Sequence, residues 1–231
     1  MKNISNALLG ISLIVILVLT MLLMQKPKEV EKIVYKEKEC TEMTKLNVAK
    51  NENYVLLGDS ITDWYPVSEY FDDTIPVVRS GKAGFQTKDI LERVEDMVIK
   101  YNPTKVFILI GTNDLEGVHK EQILENIESI IKTIKQERPK AEIYFESILP
   151  VNNTDASKIK PATVGNRDND YIVTVNKEIK EICKKQKVNY LDVYKEFVDD
   201  NNQMKLNYTA DGLHLSELGY YKLTQILLKN M

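Results

Sequence analysis

Tyr54-Val55-Leu56-Leu57-Gly58-Asp59-Ser60-Ile61-Thr62 is the stretch whose reading decides the fold. Four apolar or aromatic residues in succession fit a buried strand, and Gly58-Asp59-Ser60 then breaks it with turn chemistry ahead of Ile61 and Trp64. A serine at such a point stands where a strand hands over to a helix. Its hydroxyl is exposed at the edge of the sheet, and the first helical N–H groups and the helix dipole favour negative charge that develops beside it. Two readings of Ser60 are open on this stretch alone: a nucleophile, or a residue that only caps the helix.

Outward from that stretch, strand and helix patterns alternate. Strand patterns cover 54–57, 76–79 (Pro-Val-Val-Arg), 105–110 (Lys-Val-Phe-Ile-Leu-Ile), 142–148 (Glu-Ile-Tyr-Phe-Glu-Ser-Ile) and 188–192 (Val-Asn-Tyr-Leu-Asp). Helical spacing fills the gaps: 87–101 with Ile90, Leu91, Val94 and Val98, 119–137 with Ile123, Ile127, Ile130 and Ile134, and 169–186 with Ile172, Val175, Ile179 and Ile182. A last helix starts at Ser216, a good N-cap, and carries Leu218, Leu223, Ile226 and Leu227. Apolar strands alternating with helices predict an α/β fold with a five-stranded parallel sheet covered on both faces.

The N-terminal part has a different character. Ala7 to Met24 is an uncharged run of 18 residues, long enough at about 1.5 Å per residue to cross most of a roughly 30 Å hydrocarbon layer. It reads as a membrane anchor over 1–25. A cleaved signal peptide is the alternative, but Met24-Gln25-Lys26-Pro27 is no small-x-small cleavage site. Residues 26–50 read as a charged stalk with seven lysines and five glutamates, leaving a globular domain over 51–231 with 23 basic and 29 acidic residues. The lysines after the span favour a cytoplasmic domain by the positive-inside rule, whereas the short N-terminus and the ability of long domains to translocate favour an extracytoplasmic one; the latter is the expectation. A domain net charge of −6 gives nucleic acid no basic surface. Cys40 and Cys183 offer neither a disulfide framework nor metal spacing.

In a parallel sheet of this kind ligands bind outside the carboxyl ends of the strands, and that is where the polar chemistry falls. Ser60 follows the first strand. The second leads into Ser80-Gly81-Lys82-Ala83-Gly84, a permissive turn able to aim an N–H into the crevice. Gly111-Thr112-Asn113-Asp114 follows the third, a long segment from Pro150 to about Asp168 with the length of a lid follows the fourth, and Asp211-Gly212-Leu213-His214 lies beyond the fifth. Acyl transfer needs a nucleophile, a base, a group that orients the base, and donors for an oxyanion. The chain has two histidines. His119 opens an exposed helix beside Lys120 and Glu121, whereas His214 has Asp211 three residues before it, a spacing that lets the carboxylate hold the far ring nitrogen while the near one faces Ser60. Asp-x-x-His alone is a weak signal, and Gly-Thr-Asn-Asp alone fits a plain turn. The ordered set carries the weight.

Taken together, Gly58-Asp59-Ser60-Ile61, Gly84, Gly111-Thr112-Asn113-Asp114 and Asp211-x-x-His214 resemble the blocks of the SGNH (GDSL) hydrolase family, from about Tyr54 to the last helix. The second block departs from the family, with Arg79 in place of the usual asparagine and Ala83 and Phe85 flanking Gly84. The resemblance implies a three-layer flavodoxin-like α/β/α sandwich, no metal, no cofactor, and activity on esters or thioesters. It implies Ser60, Asp211 and His214 as the catalytic residues, and Ser60, Gly84 and Asn113 as the oxyanion hole. The substrate expected is an O-acetyl group on an envelope carbohydrate, with lipid acyl esters, acyl transfer to a sugar and an inactive binding module as alternatives.

Overall fold

The computed structural model describes residues 52–231, so the expected anchor at 1–25 and stalk at 26–50 lie outside the described residues. Among the described residues no helix is long and apolar enough to cross a membrane.

Strand β1, Tyr54–Gly58, is buried along its whole length, as its unbroken apolar run requires. It pairs in parallel with β2 (Val77–Gly81) on one side and β3 (Lys105–Leu109) on the other; β4 (Glu142–Glu146) and β5 (Asn189–Leu191) complete a five-stranded sheet of order β2-β1-β3-β4-β5. The chain turns back between β1 and β3, and in such an order the crevice opens beyond the carboxyl ends of those two strands.

Strand alternation divides the core. Val55, Leu57, Val106, Ile108, Ile143 and Phe145 belong to a cluster with the apolar stripes of α3 (Thr87–Leu91), α4 (Val94–Met97), α5 (Lys120–Glu137) and α7 (Asn169–Gln186). Leu56, Phe107 and Leu109 face the other way, onto α1 (Ser60–Asp63) and α9 (Glu217–Leu228). Helices therefore cover both faces. Ser216 caps α9 as expected, its Oγ accepting the Gly219 N–H at 3.2 Å. The remaining short helices are α2 (Val67–Tyr70), α6 (Pro161–Val164) and α8 (Tyr194–Phe197).

Three expectations need correction. The helical period over 87–101 is broken into α3, α4 and a 3₁₀ turn at Ile99–Tyr101. Ser80 Oγ donates to the Met97 carbonyl at 2.6 Å, and the Tyr101 N–H, which would have bonded that carbonyl, takes Val98 O instead. The second strand runs to Gly81 and so absorbs the start of the expected turn. A Cβ on Gly81 would collide with the backbone of Thr62 and Asp63, so glycine there lets α1 lie directly on β2.

The third concerns Pro150 to Asp168, which is not a free-standing lid. Asn176 pairs through both amide atoms with the backbone of Ile148, and Asn169 does the same for Val151, each at 2.8–2.9 Å. These asparagines are seven residues apart and share one face of α7. Their side chains replace a sheet ladder, satisfying backbone groups that burial would otherwise leave unpaired.

Candidate active site

The turn after β1 is organised by Asp59. Its carboxylate accepts the Ile61 N–H at 3.0 Å and caps α1, so the capping duty falls to Asp59 and Ser60 becomes the first helical residue with its Oγ uncommitted to the backbone. α1 is a single turn of four residues, too short for the macrodipole expected from the sequence; what it offers is N–H groups. Burial pushes the Asp59 carboxyl up to about 7 against the Ile61 N–H and the field of Arg167.

Ser60 Oγ lies 3.1 Å from His214 Nε2, and His214 Nδ1 lies 2.8 Å from Asp211 Oδ2. The other Asp211 oxygen accepts the backbone N–H groups of Leu213 at 3.0 Å and His214 at 2.8 Å. Burial works to raise the Asp211 carboxyl, but the His214 ring and these two N–H groups outweigh it and hold it below the usual carboxylate range. An ionised Asp211 can only accept, which puts the ring proton on Nδ1 and leaves the Nε2 lone pair for the Ser60 hydroxyl.

The loop that carries this pair is held from two sides. Thr209 Oγ1 donates to His214 O and accepts the Gly212 N–H, at 2.9 and 2.7 Å. From below, Asn152 N–H donates to Gly212 O at 2.7 Å and Lys160 N–H to Asp211 O at 2.8 Å. Gly212 has φ +104°, and a Cβ there would meet Asn152 O and Val164, so glycine is required for both conformation and clearance.

Gly84 sits in the turn closed by Phe85 N–H on Lys82 O, with φ +81° and open space around it. Asn113, at the end of β3, reaches this turn: its Nδ2 donates to Phe85 O at 3.0 Å. The Ala83 N–H in turn donates to Asp63 Oδ2 at 3.1 Å. The ends of β1, β2 and β3, bearing Ser60, Gly84 and Asn113, are thus stitched together by hydrogen bonds. Beneath them the buried Asp114 carboxylate accepts from the Thr87 N–H and hydroxyl, although burial holds its pKa above the usual range. His119, the other histidine, is exposed at the N-cap of α5.

Three residues here escaped the reading of the sequence. Arg167 is buried in the 150–168 segment and binds Thr112 O (2.8 Å), Val164 O (2.8 Å) and Asn113 Oδ1 (3.3 Å). Because guanidinium only donates, this contact fixes which end of the Asn113 amide is oxygen and turns its NH₂ toward the Gly84 turn. The clue was present in a chain with just four arginines. Trp64 packs against His214, ring centroids 4.2 Å apart and planes at 42°, while 51% exposed. Glu146, at the end of β4, is buried with Oε2 lacking any hydrogen-bond partner, beside a cavity of about 10 Å³ lined by Leu56, Thr62, Tyr65, Phe107 and Leu223. Burial pushes its pKa up to about 8.

A serine hydroxyl, an imidazole and a carboxylate in hydrogen-bonded series, at the switch point of a parallel α/β sheet, have the geometry of a serine hydrolase site. The sequence pattern of the GDSL-like lipase/acylhydrolase family matches residues 56–222, and the chain belongs to that family; it is a carboxylic ester hydrolase. A solved structure from Streptococcus pneumonia, described as a platelet activating factor, is 33% identical with a TM-score of 0.72, covering 88% of this chain and 96% of its own. A catalytic mutant of an acetylxylan esterase from Geobacillus stearothermophilus shares the fold at 18% identity and a TM-score of 0.62, covering 80% of this chain and 95% of its own. The human platelet-activating factor acetylhydrolase IB subunit alpha1 is 24% identical over 175 residues, 74% of this chain and 71% of that protein.

Proposed function

We propose that the chain hydrolyses acetyl esters through an acyl-enzyme on Ser60. The observation that carries the reading is the series Ser60 Oγ, His214 Nε2, His214 Nδ1, Asp211 Oδ2 with links of 3.1 and 2.8 Å. His214 takes the hydroxyl proton as Ser60 Oγ adds to the ester carbonyl. The Ser60 and Gly84 N–H groups and the Asn113 amide receive the oxyanion, with Arg167 holding that amide in its productive orientation. His214 then gives the proton to the departing alcohol as the ester C–O bond breaks. Water, deprotonated by the same ring, adds to the acyl carbon and releases acid and free serine; Asp211 stays ionised and steadies the imidazolium throughout.

The acyl group is read as acetyl because two proteins similar to this one, the xylan esterase and the platelet-activating factor acetylhydrolase, are named for acetyl esters. An O-acetylated envelope carbohydrate is the substrate we favour, since the uncharged run over 7–24 would keep the domain at a membrane surface. A second reading is an acyl ester of a lipid, since the same run would also bring the site close to the bilayer.

The test is hydrolysis of p-nitrophenyl esters from acetyl to palmitoyl, alongside an acetylated polysaccharide. Acetyl esters should be preferred, and Ser60→Ala should abolish turnover while its circular dichroism and thermal transition match wild type. Wild-type turnover by that variant would remove Ser60 from the mechanism, and a palmitoyl preference would replace the acetyl reading.

A further inference from the structure

We infer that Trp64 forms a subsite for the leaving alcohol, and that the alcohol it takes carries a pyranose ring. The inference deepens the reading above and rests on it.

Trp64 is out of place for a large apolar side chain. Tyr65, Tyr70, Phe71, Phe107, Phe145 and Phe197 are all buried, yet the indole one residue before Tyr65 keeps half its surface in water. It is nonetheless held in position. Its backbone N–H donates to Ser60 O at 3.0 Å at the C-cap of α1, which ties it to the nucleophile. Its ring rests on His214, which ties it to the base.

The chemistry says which half of an ester comes to that spot. The proton that His214 takes from Ser60 must pass to the oxygen of the alcohol as the C–O bond breaks, so that oxygen lies against Nε2. The alcohol therefore occupies the histidine's side of the site, where the indole is. The acyl group, its carbonyl in the oxyanion hole, extends away from the ring.

An exposed, rigid, flat apolar surface suits a partner that is flat and apolar on its face and hydroxylated at its rim. A pyranose meets that description: its axial C–H groups pack on indole while its equatorial hydroxyls stay hydrated. A flexible alkyl chain buries far less of itself on a plane than in a groove.

The test uses the full-length protein and two acetyl esters that differ in the alcohol: acetylated methyl xylopyranoside and ethyl acetate. Trp64→Ala should lower kcat/KM for the pyranoside by about tenfold or more beyond any loss on ethyl acetate, and Trp64→Phe should recover most of it. The loss should fall on acylation and spare breakdown of the acetyl-enzyme, from which the alcohol has already gone. Equal losses on both esters and in both steps would mean that the indole only props His214, and would overturn the subsite.

A second readout needs no turnover. Trp64 is the single tryptophan of the chain, so its emission reports on its own surroundings. Methyl xylopyranoside should change that emission saturably in wild type and in Ser60→Ala, and ethanol should not; no saturable response to the sugar would refute the inference. Failure of the catalytic reading looks different, with Ser60→Ala still turning over either ester.

Discussion

Replacing Glu146 by glutamine should flatten the dependence of stability on pH. The carboxyl is buried, one oxygen lacks a hydrogen-bond partner, and its pKa stands at about 8 against an ordinary 4.5. Between those two values the folded protein keeps a proton that the unfolded chain gives up. Fewer protons bound in the unfolded state means that stability falls as pH rises. The contribution is whole below about pH 4.5 and gone above about pH 8. Inside the window the slope is about 1 kcal/mol per pH unit, so the three units from pH 5 to 8 amount to about 3–4 kcal/mol. Glutamine has the same shape and cannot ionise. Urea denaturation of both proteins at pH 5, 6.5 and 8 should therefore show the variant gaining on wild type at each step. A slope of the same sign and similar size persists in both below about pH 7, because Asp59 is raised to about 7 by the same burial, so the comparison of the two proteins rests on their difference at each pH. Parallel curves would refute the reasoning, for they would mean that Glu146 is ionised and solvated in the folded state.

The remaining predictions concern catalysis. Asn113→Ala should lower kcat by about 10²–10³ with little change in KM, because the amide matters most when the oxyanion forms. Arg167→Met should give a smaller loss of the same kind in wild type and almost no further loss in the Asn113→Ala background; additive losses would show that Arg167 acts elsewhere. With His214 as the base, His214→Ala should remove most of the activity on an activated ester, whereas His119→Ala should leave it as it is. Asp211→Asn should cost up to about 10⁴ in kcat by admitting the wrong tautomer, and a variant within tenfold of wild type would exclude Asp211 as the orienting group.

The parts of this arrangement that the sequence makes legible are those written in contiguous residues. Tyr54 to Leu57 reads as a buried strand, and the strand extends one residue further to Gly58; α5 and α7 lie where their apolar periods put them. Asp211 and His214 could be paired because histidine is scarce and the three-residue spacing is local. What the sequence conceals depends on partners far along the chain. The interruption of the 87–101 helix after Met97 comes where a serine 17 residues earlier takes the Met97 carbonyl. Asp59 and Ser60 are both good caps, and only the geometry shows which of them does it. Asn169 and Asn176 look like polar surface residues of an amphipathic helix until the backbone of Ile148 and Val151 is seen to need them. Arg167 reaches Asn113 across 54 positions, and no local pattern signals that reach.

The bracing of the histidine loop by the 150–168 segment has a dynamic consequence. Asn152 N–H and Lys160 N–H lie on one strip of chain, their acceptors Gly212 O and Asp211 O on the other, so neither strip can lift without breaking the bonds of both. They behave as one cooperative unit for local opening. Amide hydrogen exchange should therefore give Asn152, Lys160 and His214 a shared protection factor. A protease cut at the exposed tip around Asn153 to Asp155 should leave the sheet and Ser60 in place but let His214 drift, giving a folded protein in which the histidine is no longer held against the serine.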